Sequence, residues 1–195
     1  MLLVQRCQMG VVMSTKANAT TEDLYRVRED GKAEIINGEL VLMPPTGDFP
    51  NRAGGAVYVS LRLYESEVPS GRAYSDNAGF KVNLPNREAF SPDAAFYIGK
   101  PSGMKFLEGA PVFAVEVRSE NDYGPQAERE MAQKIADYFA AGTRVVWDVD
   151  LLGTDVVKVY RVDGASNPII YRRGEVADAE PAVPGWSMSV DALFD

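Results

Sequence analysis

The chain contains no histidine and a single cysteine, Cys7, in 195 residues. Without histidine, Ser-His and Cys-His nucleophilic triads, histidine-ligated zinc hydrolase centres and imidazole acid–base catalysis all drop out together. A lone cysteine can neither close an internal disulfide nor build a structural zinc site, which fits a reducing cytoplasm. Any chemistry must therefore come from carboxylates, lysine, tyrosine or the backbone. Positive charge is also scarce: 20 Lys and Arg stand against 28 Asp and Glu, a formal net charge of −8. That argues against a protein that coats nucleic acid non-specifically, because such binding rests on phosphate neutralisation, but it leaves room for a local basic groove. No apolar run reaches the length of a membrane span. The apolar opening MLLVQRCQMGVVM is interrupted by Arg6 and two glutamines, which spoils a signal-peptide core.

What is present is ordinary for a folded domain: 46% hydrophobic residues, 25% charged and enough length for one sizeable core. Neither an internal repeat nor a long linker divides the chain. The expected organisation is a disordered or extended N-terminal segment over residues 1–19, its first twelve residues poorly ordered, and a single domain over 20–195. Met13 is an alternative start.

Thr20 or Thr21 is a good N-cap, with Glu22 and Asp23 suiting the positive end of a short helix over 21–29. In EIINGELVLMP, Asn37-Gly38 lies between β-rich flanks and predicts a hairpin of strands near 33–36 and 39–43. Ala53, Val57, Leu61 and Tyr64 recur at helical spacing up to Glu67, and Pro69 with Gly71 ends the run. Three strand-like stretches follow, GRAYSDNAGFKVNLP, FSPDAAFYIG and APVFAVEVRS, read as consecutive strands of one sheet. The clearest helix runs from Pro125 to just before Gly142, with Ala127, Met131, Ile135, Tyr138 and Phe139 on one stripe. A buried strand in TRVVWDVD comes next, then a strand pair in DVVKVYRV and PIIYRRGE, and a closing segment whose Trp186 and Phe194 should pack on the core. The order predicts an α+β, or mixed α/β, fold with helices on at least one face of a sheet.

Two carboxylates stand where apolar packing would want none. Asp93 follows a proline at the mouth of the apolar run AAFY, and Glu116 interrupts PVFAVEVRS. Strand alternation puts Val112, Ala114, Glu116 and Arg118 on one face and Phe113, Val115 and Val117 on the other. An ionised carboxylate in mid-strand costs several kcal/mol unless it is paired or bound to a metal. One resolution is structural: an ion pair of Glu116 with Arg118 or another cation, and Asp93 accepting backbone hydrogen bonds at a strand entry. The other has Asp93 and Glu116 converging from neighbouring strands on Mg²⁺ or Mn²⁺, hard cations that take one or two carboxylates, waters and a substrate phosphate. Lys134 falls on the rim of its helix stripe, where its ammonium can turn toward the sheet or snorkel to solvent. Arg118 could stabilise phosphate charge but could not orient water by giving up a proton.

The series SPDAAFY, PVFAVEVRSENDYG and KIADYFAAGTRVVWDVD, with AEIINGELVLMPP upstream, resembles the bacterial Uma-type restriction endonuclease family of the PD-(D/E)xK nuclease superfamily. The resemblance covers nearly everything after residue 20. It implies a restriction-endonuclease-like central mixed sheet flanked by helices, with an N-terminal hairpin and extra C-terminal strands. It further implies Asp93 as the motif aspartate and Glu116 as the motif acid, the two metal ligands, with Mg²⁺ or Mn²⁺ as cofactor and DNA as substrate. The superfamily lysine two residues on is Arg118 here, and Lys134 from the following helix takes its part. Glu34 is an additional or outer-shell ligand on this resemblance, or else an exposed strand residue; Glu39 is structural or outer-shell, and Tyr138 packs. A symmetric homodimer would supply two sites for cutting a duplex. Two rivals remain: a catalytically inactive module of the same fold that binds DNA or protein, and a glycosidase using Asp93 and Glu116 as acid and nucleophile.

Overall fold

Asn37 and Gly38 take φ values of 52° and 74°, the left-handed pair that lets a two-residue turn match the twist of its hairpin. The computed structural model describes residues 14–17, 19–26 and 32–195. Its first elements are strand β1 (Ser14–Ala17), the single-turn helix α1 (Thr21–Leu24) and the hairpin β2 (Ala33–Ile36) and β3 (Glu39–Leu42). Helix α2 (Asp48–Glu67) leads to β4 (Arg72–Ser75), β5 (Phe80–Leu84), β6 (Arg87–Phe90), β7 (Ala94–Tyr97), β8 (Leu107–Glu108) and β9 (Phe113–Val117). Helix α3 (Pro125–Ala140) connects to β10 (Val145–Val149), followed by β11 (Val157–Arg161), β12 (Ile169–Tyr171), β13 (Val176–Asp178) and β14 (Ser187–Ser189).

The fold is α+β, with mixed sheets flanked by few helices. Where one sheet was expected, the described strands form two six-stranded sheets, β1-β3-β2-β6-β5-β8 and β12-β11-β10-β9-β7-β4, and a pair, β13-β14. The stretch GRAYSDNAGFKVNLP accounts for much of the difference: it breaks at Asn77, with φ of 67°, and sends β4 into the second sheet and β5 into the first. The turn expected at PNRE is a tight one, and β6 begins at its Arg87. Of the expected N-terminal segment, Ser14–Ala17 pairs with β3; residues 1–13, and residues 27–29 of the first expected helix, lie outside the described residues.

β9 and β10 are parallel, in register from Val145↔Phe113 to Val149↔Val117, and α3 makes the crossover between them. One face of this sheet packs Phe113, Val115, Val117 and Trp147 against Val57 and Leu61 of α2 and Trp186 of the C-terminal segment. The opposite face packs Ala95, Ala114 and Val146 against Ile135 and Tyr138 of α3 and Phe80 and Phe90 of the first sheet. Trp186 is buried as expected. Phe194 is not: it stays 38% exposed, with the Arg173 guanidinium carbon 4.0 Å from its ring centre. Among the described residues, no helix is long and apolar enough to cross a membrane.

Candidate metal centre

The face of β9 beneath α3 carries Glu116, and the strands beside it bring the other acids close. Asp93 precedes β7, which is antiparallel to β9 with Ala94 opposite Val115. Its N–H donates to the Val115 carbonyl at 3.0 Å, and its Oδ2 accepts from the Val117 N–H at 2.7 Å. The carboxylate is thus fixed against the strand holding Glu116. Helix α2 closes over the other side: a Cβ at Gly54 would lie 3.3 Å from that of Asp93, so a residue without one lets the helix approach this closely.

Glu116 is buried, and both of its oxygens have partners on α3. Lys134 Nζ donates to Oε2 at 2.8 Å and the Tyr138 hydroxyl to Oε1 at 2.6 Å. The helical spacing of Lys134 and Tyr138 puts both over one strand position. Tyr138 is held in turn by stacking on Phe90, with ring centres 4.0 Å apart and planes 15° from parallel. Lys134 Nζ also lies 3.3 Å from Glu34 Oε1. Glu34, on β2, is wholly buried, which corrects the exposed-strand reading. Its Oε1 accepts from the Ser91 N–H at 3.0 Å and its Oε2 from Arg87 Nη1. Arg87 Nε reaches Asp137 at 2.9 Å, and Asn86 and Gln133 also donate to that carboxylate.

The fourth side of the cluster is Lys32, whose Nζ lies 2.9 Å from both Asp93 Oδ1 and Asp76 Oδ1. Lys32 is not among the residues that the sequence singles out. A signal was there, because Lys32 and Glu34 are two apart and so face the same way along an extended chain. Tyr138 packs as expected, and its hydroxyl also orients Glu116. Asp93, Glu116, Lys134 and Glu34 thus come together. Arg118 does not join them: it grips Asp148 on β10 through Nε and Nη2, each at 2.7 Å, and Glu128 on α3. Of the cations open to Glu116, Arg118 is engaged elsewhere and another, Lys134, makes the ion pair, with the Tyr138 hydroxyl donating beside it. Glu39 is exposed on β3.

Charge follows from this geometry. Burial pushes the Glu34 carboxyl up, but Lys134, Arg87 and Lys32 outweigh it and hold the group below the usual glutamate range. Burial also pushes Glu116 up; Lys134 pulls it back, Asp93 and Glu34 add to the rise, and the net direction is up. Burial lowers Lys134, yet Glu116 and Glu34 more than compensate and keep the ammonium charged. Five carboxylates, Glu34, Asp76, Asp93, Glu116 and Asp137, meet three cations, Lys32, Arg87 and Lys134. With every carboxylate ionised, these described residues carry two negative charges in excess; Glu116 is raised first by its burial and then by Asp93 and Glu34 beside it.

A divalent cation suits this donor set. The acids offer hard oxygen only, with no nitrogen or sulfur, which favours Mg²⁺ or Mn²⁺ over zinc. Among the described residues no three His, Cys, Asp or Glu side chains form a ready cage, and two carboxylates completed by waters and a phosphate is the pattern of Mg²⁺ rather than of a protein-enclosed ion. Ser91, whose N–H serves Glu34, has a buried Oγ with no hydrogen-bond partner among the described residues.

No curated protein matches the chain. Among solved structures, a putative nuclease belonging to DUF820 from Anabaena variabilis ATCC 29413 has the same fold, with a TM-score of 0.71 and 16% identity over 90% of this chain and 97% of that one. Residues 20–191 match the sequence profile of Uma2, described as "Putative restriction endonuclease", and the chain belongs to that family.

Proposed function

We propose that the protein is a metal-dependent endonuclease that hydrolyses phosphodiester bonds in DNA, with Asp93 and Glu116 holding Mg²⁺ or Mn²⁺. The observation that carries this reading is the convergence of Asp93 and Glu116 from two strands, joined by Lys134 from the helix above, in a cluster with excess negative charge. Membership of a family described as restriction endonucleases supports it. The bound ion would supply a water of lowered pKa and neutralise charge on the scissile phosphate. The protein groups do the rest. Lys134 stays protonated, so it acts as a hydrogen-bond donor that orients the attacking water and stabilises charge on the phosphate, not as a base. Glu34 anchors that ammonium, and Tyr138 fixes the carboxylate plane of Glu116. Cutting both strands of a duplex takes two such sites, which a symmetric homodimer would provide, and the lone Cys7 suits the reducing cytoplasm.

The test is cleavage of plasmid and of oligonucleotide duplexes with Mg²⁺ or Mn²⁺. The reading requires cleavage by the native protein that Asp93→Ala abolishes; indistinguishable products would end it. One observation favours a second reading, an inactive module of the same fold that binds DNA or protein: all four carboxylate oxygens of Asp93 and Glu116 already have a protein donor. Millimolar Mn²⁺ separates the two, since it raises the melting temperature of a metal enzyme by binding linkage and leaves the inactive module unmoved.

A further inference from the structure

We propose that Lys32 is a resident counter-cation which occupies the Asp93 carboxylate when no metal is bound, sets the concentration of divalent ion needed to load the site, and is handed to Asp76 when the ion enters. The proposal rests on the metal-dependent reading above. Its observation is the position of one ammonium, equally near two carboxylates of different standing. Lys32 Nζ is 2.9 Å from Asp93 Oδ1 and 2.9 Å from Asp76 Oδ1.

Asp93 is a candidate ligand, deep between strands, with its second oxygen tied to the Val117 N–H. Asp76 sits in the turn after β4, its side chain 35% exposed, anchored by accepting the Asn77 N–H through the same Oδ1 at 2.7 Å. Lys32 itself is held at the backbone, its carbonyl accepting from the Met43 N–H at 2.8 Å, so the ammonium can move while the chain stays put. Its side chain is only 12% exposed, which keeps water from screening it. A second positive charge cannot share the Asp93 oxygen cheaply, because like charges a few ångströms apart in a poorly solvated site repel by several kcal/mol. Ion and ammonium therefore compete for Asp93, and Asp76 gives the displaced ammonium a partner it is already touching. Lys134 differs: among the described residues its two carboxylate partners, Glu116 and Glu34, are both buried.

The experiment is Mn²⁺ titration by calorimetry, with the melting temperature of each metal-free protein as a readout independent of cleavage. Lys32→Gln, which drops the charge but keeps a donor for Asp93, should bind Mn²⁺ about tenfold or more tightly, with a lower metal-free melting temperature and a larger rise on loading. Lys32→Met serves as a second variant with the same expected direction. Asp76→Asn should weaken Mn²⁺ binding, because Lys32 then has Asp93 alone. In Lys32→Gln the same Asp76 change should do little, whereas a direct ligand role for Asp76 would weaken binding in both backgrounds. Unchanged or weaker binding by Lys32→Gln, beside normal binding by the native protein and loss in Asp93→Asn, overturns the proposal alone. No Mn²⁺ binding by native protein or Lys32→Gln overturns the metal reading and the proposal together.

Discussion

Glu116 and Asp148 are register partners on neighbouring parallel strands, both buried beneath α3, and they are compensated in opposite ways. Asp148 receives a two-pronged guanidinium from Arg118, whose third nitrogen, Nη1, goes to Glu128, with Nη2 shared to that same carboxylate at 3.1 Å. Planar fork on planar carboxylate satisfies both groups, leaving little for an outside ligand. Glu116 receives a single ammonium and a phenol from residues that also serve Glu34 and the core. An ammonium is a compact charge on a flexible stem and can shift aside as a guanidinium clamp cannot. The two acids differ not in burial or in the number of donors but in their kind: a fixed fork holds Asp148, whereas Glu116 is held by one flexible ammonium and one phenol. Arg118, two residues after Glu116, is engaged in this structural pair, and the lysine that reaches Glu116 comes from α3 as Lys134.

Substitutions at Glu116 and at Arg118 should have opposite consequences. The largest effect is expected from Asp93→Ala and Glu116→Ala, which should lower Mg²⁺-dependent cleavage by about a thousandfold or more, the scale for removing a principal electrostatic contribution. Gel assays of nicked and linear plasmid measure it. Arg118→Met should instead act on stability, by about 3–5 kcal/mol, because it strands the Asp148 carboxylate in the interior; urea denaturation reads this, with residual cleavage per folded molecule retained. Equal loss of cleavage per folded molecule in Arg118→Met and Glu116→Ala would erase the distinction. Tyr138→Phe keeps the stack on Phe90 and removes one hydrogen bond to Glu116, so about 1–2 kcal/mol of stability should go, with a partial fall in cleavage.

The smallest effect is in acid. Glu34 and Asp137, on either side of Arg87, are both held below their usual range: burial raises each, and Arg87 with their other partners lowers them further. A depressed carboxylate contributes stability above its unfolded pKa and loses it as pH falls through that value toward the folded one. The protein should therefore lose stability as pH drops below the ordinary values of 4.5 for glutamate and 3.8 for aspartate. Glu116, raised by burial, runs the other way and softens the loss, since its contribution is present below 4.5 and fades as pH rises. Arg87→Met should flatten the acid arm of a melting-temperature profile; an unchanged profile would show that these two groups do not govern it.

Much of the frame was legible because it depends on local chemistry. Asn37-Gly38 wrote its hairpin, Pro125 and Gly142 bounded α3, and alternation in β9 assigned the faces of Phe113 and Glu116 as the structure has them. Sheet membership was not, since alternation tells which way a side chain faces but not which strand lies beside it. The split at Asn77 and the two-residue β8 depend on pairings distant in sequence. Within the site, Asp93 and Glu116 stand out as charges in apolar sequence and Lys134 as a lysine on the rim of its helix stripe. Lys32 does not, because it precedes its strand in a polar stretch, and the Tyr138 stripe position reveals the ring's burial without its hydroxyl's partner.

A crystal soaked in Mn²⁺ and measured at the manganese edge tests the central claim most directly. An anomalous peak is expected about 2.1 Å from a carboxylate oxygen of Asp93 and of Glu116, with the Lys32 ammonium moved onto Asp76. A peak elsewhere, or none, with both lysines still seated on Asp93 and Glu116, would contradict it.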